Sequence, residues 1–195
     1  MRDAVLRVPQ SRNAIVPGSN FFRQPNDLAH DLYAEIERRG CGPCCAASAI
    51  HSLTDQTVHV EDLFESINCR GGFTEKGIVH SVLAELISEY GLKARAAAFD
   101  RKTINVSLAE AFFICSVRHK FPTQGAGGHL VLLHGRRGSQ ALFMDPSGWG
   151  SEHSTLPMDR FFSSYSGRAV RIDFPIHTIP CKQRELLEQT GANYE

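Results

Sequence analysis

The sequence lacks any hydrophobic run that could cross a bilayer, because no apolar stretch approaches the roughly 20 residues that a transmembrane helix needs. It also lacks an N-terminal signal region, since residues 1–6 are followed by polar residues rather than by an apolar segment. We therefore expect a protein without a membrane partner that is made and folded in the cytoplasm. Export by a leaderless route would leave no mark in the sequence, so a secreted protein stays an alternative.

An excess of charge of either sign is also missing. Lys and Arg number 21, Asp and Glu number 21, and the formal net charge is zero. Because proteins that depend on nucleic acid or anionic membranes usually carry a basic excess, neither is indicated as a partner. Apolar residues make up 42% and charged residues 22% of the 195 positions, which is typical of an ordinary globular protein. We expect one domain and a monomer.

Repeats, low-complexity tracts and linkers are absent as well, so residues 1–195 are predicted to form a single domain. Residues 1–20 contain turn-forming Pro, Gly and Asn and are predicted to be irregular. Apolar positions recur at helical spacing through residues 21–92, whereas residues 93–175 are rich in short strand-like runs. Residues 176–195 are predicted to be a tail with a short helix. The order of a helical half and an antiparallel half predicts an α+β fold.

Individual elements follow from the same patterns. Helices are predicted over residues 28–39, from residue 41 to about residue 53, and over 60–67, 107–111 and 158–165. A further helix is expected over residues 75–90, with Thr74 as its cap. Strands are predicted over residues 93–99, 112–117, 129–134, 140–145 and 169–174, with residues 136–139 forming a hairpin turn.

Six cysteines, at positions 41, 44, 45, 69, 115 and 181, are predicted to be mostly free thiols, because no signal peptide precedes them. Cys41 differs from the others in its surroundings, since it lies in the stretch GCGPCCAASAI, residues 40–50. Glycines flank it, and a run of small, helix-forming residues follows. At the N-terminus of such a helix, the unpaired N–H groups and the dipole favour a thiolate. Cys41 is therefore a candidate nucleophile.

Cysteine catalysis also needs a base, a group that orients the base, and donors for the oxyanion. His129 begins one predicted strand and Asp145 ends the next, so a hairpin between them places the imidazole and the carboxylate side by side. Gln24 is a candidate oxyanion donor together with the backbone N–H of Cys41. Trp149 could cover the bond between His129 and Asp145.

Glycines mark the approach to His129. Residues 125–128 (GAGG) precede it, and Gly127 and Gly128 would allow a substrate backbone to come close. With Trp149, they are candidates for binding substrate.

The order of Gln24, residues 40–43 (GCGP), residues 128–131 (GHLV) and residues 145–146 (DP) resembles papain-like cysteine peptidases of the double-glycine, bacteriocin-processing type and their bacterial relatives. The resemblance runs from about residue 20 to residue 174. It implies a papain-like fold, with the nucleophile at a helix N-terminus in the helical half. By position it implies Cys41 as nucleophile, His129 as base and acid, Asp145 as orienting group and Gln24 as oxyanion donor.

The resemblance also implies a protein or peptide substrate, no cofactor, and a role as a bacterial effector or a peptide-processing protease. By analogy, Gly72 would lie at the rim of the substrate groove. Two features depart from the family pattern. Gln24 lies 17 residues before Cys41, a longer gap than in the transporter-linked peptidases, and Cys44 stands where a small residue is usual.

Alternatives remain open at this point. The same triad could transfer an acyl group to an amine or deamidate glutamine. Residues 41–44 (CGPC) match the redox motif of thioredoxin, although a polar helix is predicted where thioredoxin has a strand. A binding module with a decayed site is a third reading. His177 and Cys181 have a metal-like spacing without a second pair nearby, so no metal is expected.

Overall fold

The computed structural model describes residues 29–54, 56–118, 128–146 and 155–175. These residues form six helices: α1 (Ala29–Arg39), α2 (Cys41–Leu53), α3 (Val60–Cys69), α4 (His80–Glu89), α5 (Arg101–Ser107) and α6 (Met158–Ser164). None of these helices combines the length and the apolar character that spanning a bilayer requires. Eight strands accompany them: β1 (Phe73–Thr74), β2 (Gly77–Ile78), β3 (Ala94–Ala98), β4 (Ala111–Val117), β5 (His129–Arg137), β6 (Gln140–Met144), β7 (Thr155–Pro157) and β8 (Tyr165–Asp173).

The strands form a small hairpin and one larger sheet. Strands β1 and β2 pair with each other, and the other six lie in the order β3-β8-β4-β5-β6-β7 with every neighbouring pair antiparallel. Four helices precede the large sheet in the chain. The prediction of an α+β fold, with a helical half before an antiparallel half, is therefore confirmed.

Helices cover both faces of the large sheet. Alternate residues of a strand point to opposite faces, and in β4 both sets are buried. Phe112 and Ile114 pack in the cluster that contains α2, α3 and α4, whereas Phe113 and Cys115 pack in the cluster that contains α5 and α6. The continuous apolar sequence of β4 (AFFICSV) thus reflects its position between two layers.

Helix α2 lies at the centre of the first layer. Ten of its 13 residues are buried, and Ala46, Ala47, Ser48 and Ala49 have no exposed surface. Small side chains bring the helix backbone close to the sheet, so α2 can pack against β5 along its length. The sequence predicts that this helix of small residues packs deep in the core, and the structure shows it there.

Two predicted helices, over residues 75–90 and 107–111, have different bounds in the structure. Thr74 does not cap a helix: its hydroxyl accepts a hydrogen bond from Lys76 N at 3.2 Å and donates one to Gly77 O at 2.9 Å. These bonds close the turn of the β1–β2 hairpin, where Gly77 has a φ of +105°, so the helix that follows begins only at His80. The helix predicted over residues 107–111 lies earlier, as α5, because Asp100 accepts a hydrogen bond from Thr103 N at 2.6 Å and caps it.

The hairpin of β5 and β6 is tighter than the sequence predicts. Arg137 pairs with Gln140, so only two residues form the loop, and Gly138 adopts a φ of +58°. A bulge lies between Leu133 and Gly135. The hairpin places the start of β5 and the end of β6 next to each other, at the end of the two strands that is away from the turn. The candidate site is found there.

Candidate active site

The N-terminus of α2 is held in place by a glycine. Gly40 donates its N–H to Ile36 O at 2.7 Å and accepts a hydrogen bond from Cys44 N at 2.9 Å. A Cβ at this position would collide with the Ile36 carbonyl. Only glycine therefore lets α2 follow α1 so closely, and Cys41 becomes the first residue of α2. Pro43 is tolerated in the first turn, where its missing N–H has no helical partner in any case.

A second glycine brings this helix end against the sheet. A Cβ on Gly42 would lie 2.7 Å from Ile78 Cδ1 and 3.3 Å from Leu130 Cδ1. The backbone beside Cys41 is thus packed between the β1–β2 hairpin and the second residue of β5. His129 is the residue before Leu130, so this packing positions the thiol next to the imidazole.

His129 and Asp145 are hydrogen-bonded. Nε2 of His129 lies 2.8 Å from Oδ1 of Asp145, and the side chains are 18% and 3% exposed. Because Leu132 pairs with Met144, Asp145 faces Val131, two residues along the strand from His129. The two side chains are therefore diagonal neighbours on one face of the hairpin rather than directly opposite each other.

The side chain of Cys41 also acts on the imidazole, because it is one of the groups that raise the pKa of His129. Since Nε2 faces Asp145, Nδ1 is the ring nitrogen that remains for the thiol. Burial lowers the pKa of His129, but the hydrogen bonds to Asp145 and Cys41 and their negative charges raise it to about 9. The ring is therefore protonated at neutral pH and lies between a carboxylate and a sulfur.

The neighbouring cysteines have a different environment. Cys44 and Cys45 have no exposed surface, and burial raises the pKa of both thiols well above the usual range. The Cys45 thiol donates to Leu130 O at 3.6 Å. These two residues pack inside the core, and all five cysteines of the described segments are free thiols. Helix α1, rather than a strand, precedes Cys41, so residues 41–44 do not have the surroundings of a thioredoxin motif.

Of the remaining predicted site residues, only Gly128 and Gly72 belong to the part of the chain that the structure describes. Gln24, Gly127 and Trp149 lie outside the described residues, as do His177 and Cys181. Gly128 is exposed and lines a groove beside His129. Gly72 does not lie at the rim of that groove: it is buried, and a Cβ there would lie 2.7 Å from Ile67 Cγ2 and 2.9 Å from Val82 Cγ1. Its role here is therefore in packing α3 against α4.

The groove beside His129 is a feature that sequence reasoning missed. It has a volume of about 870 Å³. The β1–β2 hairpin and the start of α4 form one side of the groove, and one end of the large sheet forms the other. Across it, Nε2 of His80 lies 2.7 Å from Oγ of Ser116, and burial together with the charge of Arg168 lowers the pKa of His80. These residues come from separate elements and share no motif, so no local signal marks them. Within the described segments, no group of three His, Cys, Asp or Glu residues is arranged to hold a metal ion.

Comparison with known proteins gives matches at the level of structure. No family model matches the sequence, and no curated protein does. The peptidase domain of Streptococcus ComA, a bifunctional ABC transporter involved in quorum sensing, aligns with a TM-score of 0.52 and 19% identity, over 71% of this chain and 93% of that domain. A protein described as a C39-like peptidase from Bacillus anthracis aligns with a TM-score of 0.56 and 18% identity, over 70% of this chain and 90% of its own.

A third neighbour is a double-glycine-motif protease from an AMS/PCAT transporter, solved in complex with a leader peptide. It aligns with a TM-score of 0.50 and 22% identity, over 69% of this chain and 84% of its own. Identities this low establish the fold and no more. The expected resemblance is confirmed at that level: the chain has the papain-like fold of double-glycine peptidase domains.

Proposed function

We propose that the protein is a cysteine endopeptidase that uses Cys41 as nucleophile, His129 as general base and acid, and Asp145 as the group that orients His129. The observation that carries this proposal is that one partly buried imidazole hydrogen-bonds Asp145 and has the Cys41 side chain among the groups that raise its pKa. A protonated imidazole beside a sulfur at a helix N-terminus favours the thiolate, which is the attacking species.

The reaction follows from this arrangement. In the resting pair the proton shared by Cys41 and His129 lies on the imidazole, and the Cys41 thiolate forms a bond to the carbonyl carbon of the substrate while the carbonyl π electrons move to oxygen. Collapse of this intermediate breaks the C–N bond, and His129 gives its proton to the leaving amine. Water, deprotonated by His129, then attacks the thioester, and the C–S bond breaks to release the acid and the free enzyme.

The oxyanion needs donors that are in place before the reaction. The backbone N–H of Cys41 lies in the first turn of α2, where N–H groups have no helical acceptor. Gln24 is proposed as the second donor from its place in the sequence, upstream of Cys41. Replacing Gln24 with Ala is expected to lower kcat by about 10²-fold.

A polypeptide substrate is proposed from the groove that begins at Gly128 and from the leader peptide bound by one neighbour. The same chemistry also permits acyl transfer to an amine, or deamidation of a glutamine. Mass spectrometry separates these outcomes, because hydrolysis yields two shorter chains whereas transfer or deamidation leaves the chain length unchanged.

The test is cleavage of a complex peptide mixture by the wild type and by Cys41→Ala, with Cys69→Ala as a matched control. Cys69 is an exposed thiol at the end of α3, remote in sequence from the other residues proposed to act. Cys41→Ala is expected to abolish the new termini, and Cys69→Ala to retain them. Equal cleavage by the wild type and Cys41→Ala would refute the proposal.

A further inference from the structure

The groove beside His129 carries a separate inference about the substrate. Its residues come from the β1–β2 hairpin, the start of α4, the ends of three sheet strands and the residue before β5. They are Thr74, Lys76, Ile78, Val79, His80, Ser81, Ala96, Ala97, Ala98, Ser116, Val117, Arg118, Gly128, Ser166 and Arg168. The groove is thus assembled where several strands of the large sheet end together.

One end of the groove lies next to the candidate catalytic residues. Gly128 precedes His129 in the chain, and Val117 pairs with His129 in the sheet. On the opposite side, Ile78 lies against the position of Gly42, next to Cys41. A chain whose scissile bond lies at Cys41 would therefore continue into this groove.

The charged residues that are described in the groove are all of one sign. Lys76, Arg118 and Arg168 line it and are exposed, and no Asp or Glu does so among the residues that the structure describes. Among the described residues these three cations make no ion pair, whereas Arg38 and Arg39 pair with Glu35, and Arg70 pairs with Glu89. In a chain with zero net charge, this separation of charge gives the groove a local positive potential.

One side of the groove is lined by small residues. Ala96, Ala97 and Ala98 lie at the end of β3, the edge strand of the large sheet within the described segments, and Arg168 is paired with Ala98. Because these residues present no side chain longer than a methyl group, β3 does not block the approach of ligand carboxylates to the guanidinium groups. Arg suits such a partner because its planar fork donates two parallel N–H hydrogen bonds to a carboxylate.

We propose that this groove binds an acidic segment of the polypeptide substrate, next to the bond that is cut. This inference rests on the proposed peptidase function and adds the chemical class of the substrate. The carboxylates of the segment pair with Lys76, Arg118 and Arg168, while His80 and Ser116 supply uncharged hydrogen-bonding groups between them.

The test measures binding in the Cys41→Ala protein, so that it does not depend on cleavage. Three short fluorescent peptides of equal length are compared, rich in Asp and Glu, in Lys, and in Ser and Gly. The acidic peptide should bind most tightly, and its affinity should fall as salt is raised. Reversing two charges with Lys76→Glu and Arg168→Glu should weaken it about tenfold, since each exposed ion pair contributes modestly.

Matched controls are Lys102→Glu and Arg160→Glu, which reverse exposed cations on α5 and α6, outside the groove. They should leave the affinity unchanged. The inference is overturned if the acidic peptide binds no better than the neutral one, if the controls weaken binding as much as the groove variants, or if a single-stranded oligonucleotide binds more tightly than the acidic peptide. Tight binding of acidic peptides by a wild type that cleaves nothing would support the preference of the groove for acidic segments while refuting the peptidase proposal.

Discussion

The junction of α2 with β5, which comprises Gly40, Cys41, Gly42 and His129, is built differently from the groove beside it. At the junction, the Ile36 carbonyl leaves no space for a methyl group on Gly40, and the Ile78 side chain would have to move to admit one on Gly42. In the groove, the cations Lys76, Arg118 and Arg168 are exposed. The difference teaches that packing fixes the positions of the reacting groups, whereas the residues proposed to select the substrate contribute little to stability and are open to change.

The largest expected effect is on activity at the junction. Replacing Asp145 with Asn keeps the size of the side chain but removes the charge that holds the protonated imidazole, so kcat/KM should fall by about 10³-fold. The measurement is the initial rate on a peptide cleaved by the wild type. Asp159→Asn, on the exposed start of α6, is the matched control and should keep full activity. An Asp145→Asn variant within a few-fold of the wild type would contradict the assigned role.

The next effect contrasts the stability of the two regions. Gly40→Ala forces a methyl group against the Ile36 carbonyl and should lower the free energy of unfolding by about 3 kcal/mol. Lys76→Ala in the groove should change it by less than about 0.5 kcal/mol. Urea denaturation of the two variants and of the wild type measures both values. Similar losses in the two variants would remove the distinction between the regions.

A smaller effect should appear in the pH dependence of stability. The pKa of His129 is about 9 in the folded protein, above the value of about 6.5 expected in the unfolded chain. Its stabilisation is therefore fully present below about pH 6.5 and is lost as the pH rises through about 9. The unfolding free energy of the wild type relative to Asp145→Asn should fall by about 1–3 kcal/mol across this window. A constant difference between the two proteins would show that the folded state does not favour the imidazolium.

The junction could largely be predicted from the sequence because its signals are local. Flanking glycines and a run of small residues mark the start of α2, and two strands with a short turn bring His129 and Asp145 together. The pattern could not show that the two side chains are diagonal, because register depends on the bulge and on the length of the turn.

The groove could not be predicted, because His80 and Ser116 meet across 36 residues of chain and neither belongs to a motif. The prediction that Thr74 caps a helix failed for a related reason. A threonine before a helical pattern serves equally well in a turn, and only the tertiary setting of the β1–β2 hairpin decides between the two. Gly72 shows the same limit, since a glycine needed for packing and one needed for substrate approach look alike in sequence.

The most direct test of the account is the rate of alkylation of individual cysteines by iodoacetamide at about pH 6, where an ordinary thiol reacts slowly. Mass spectrometry assigns the modified residue. We expect Cys41 to react at least about tenfold faster than the exposed Cys69 in the wild type, and to lose this advantage in His129→Ala. Equal rates at the two cysteines, or a Cys41 rate that is unchanged in His129→Ala, would contradict an imidazole-activated thiolate at the start of α2.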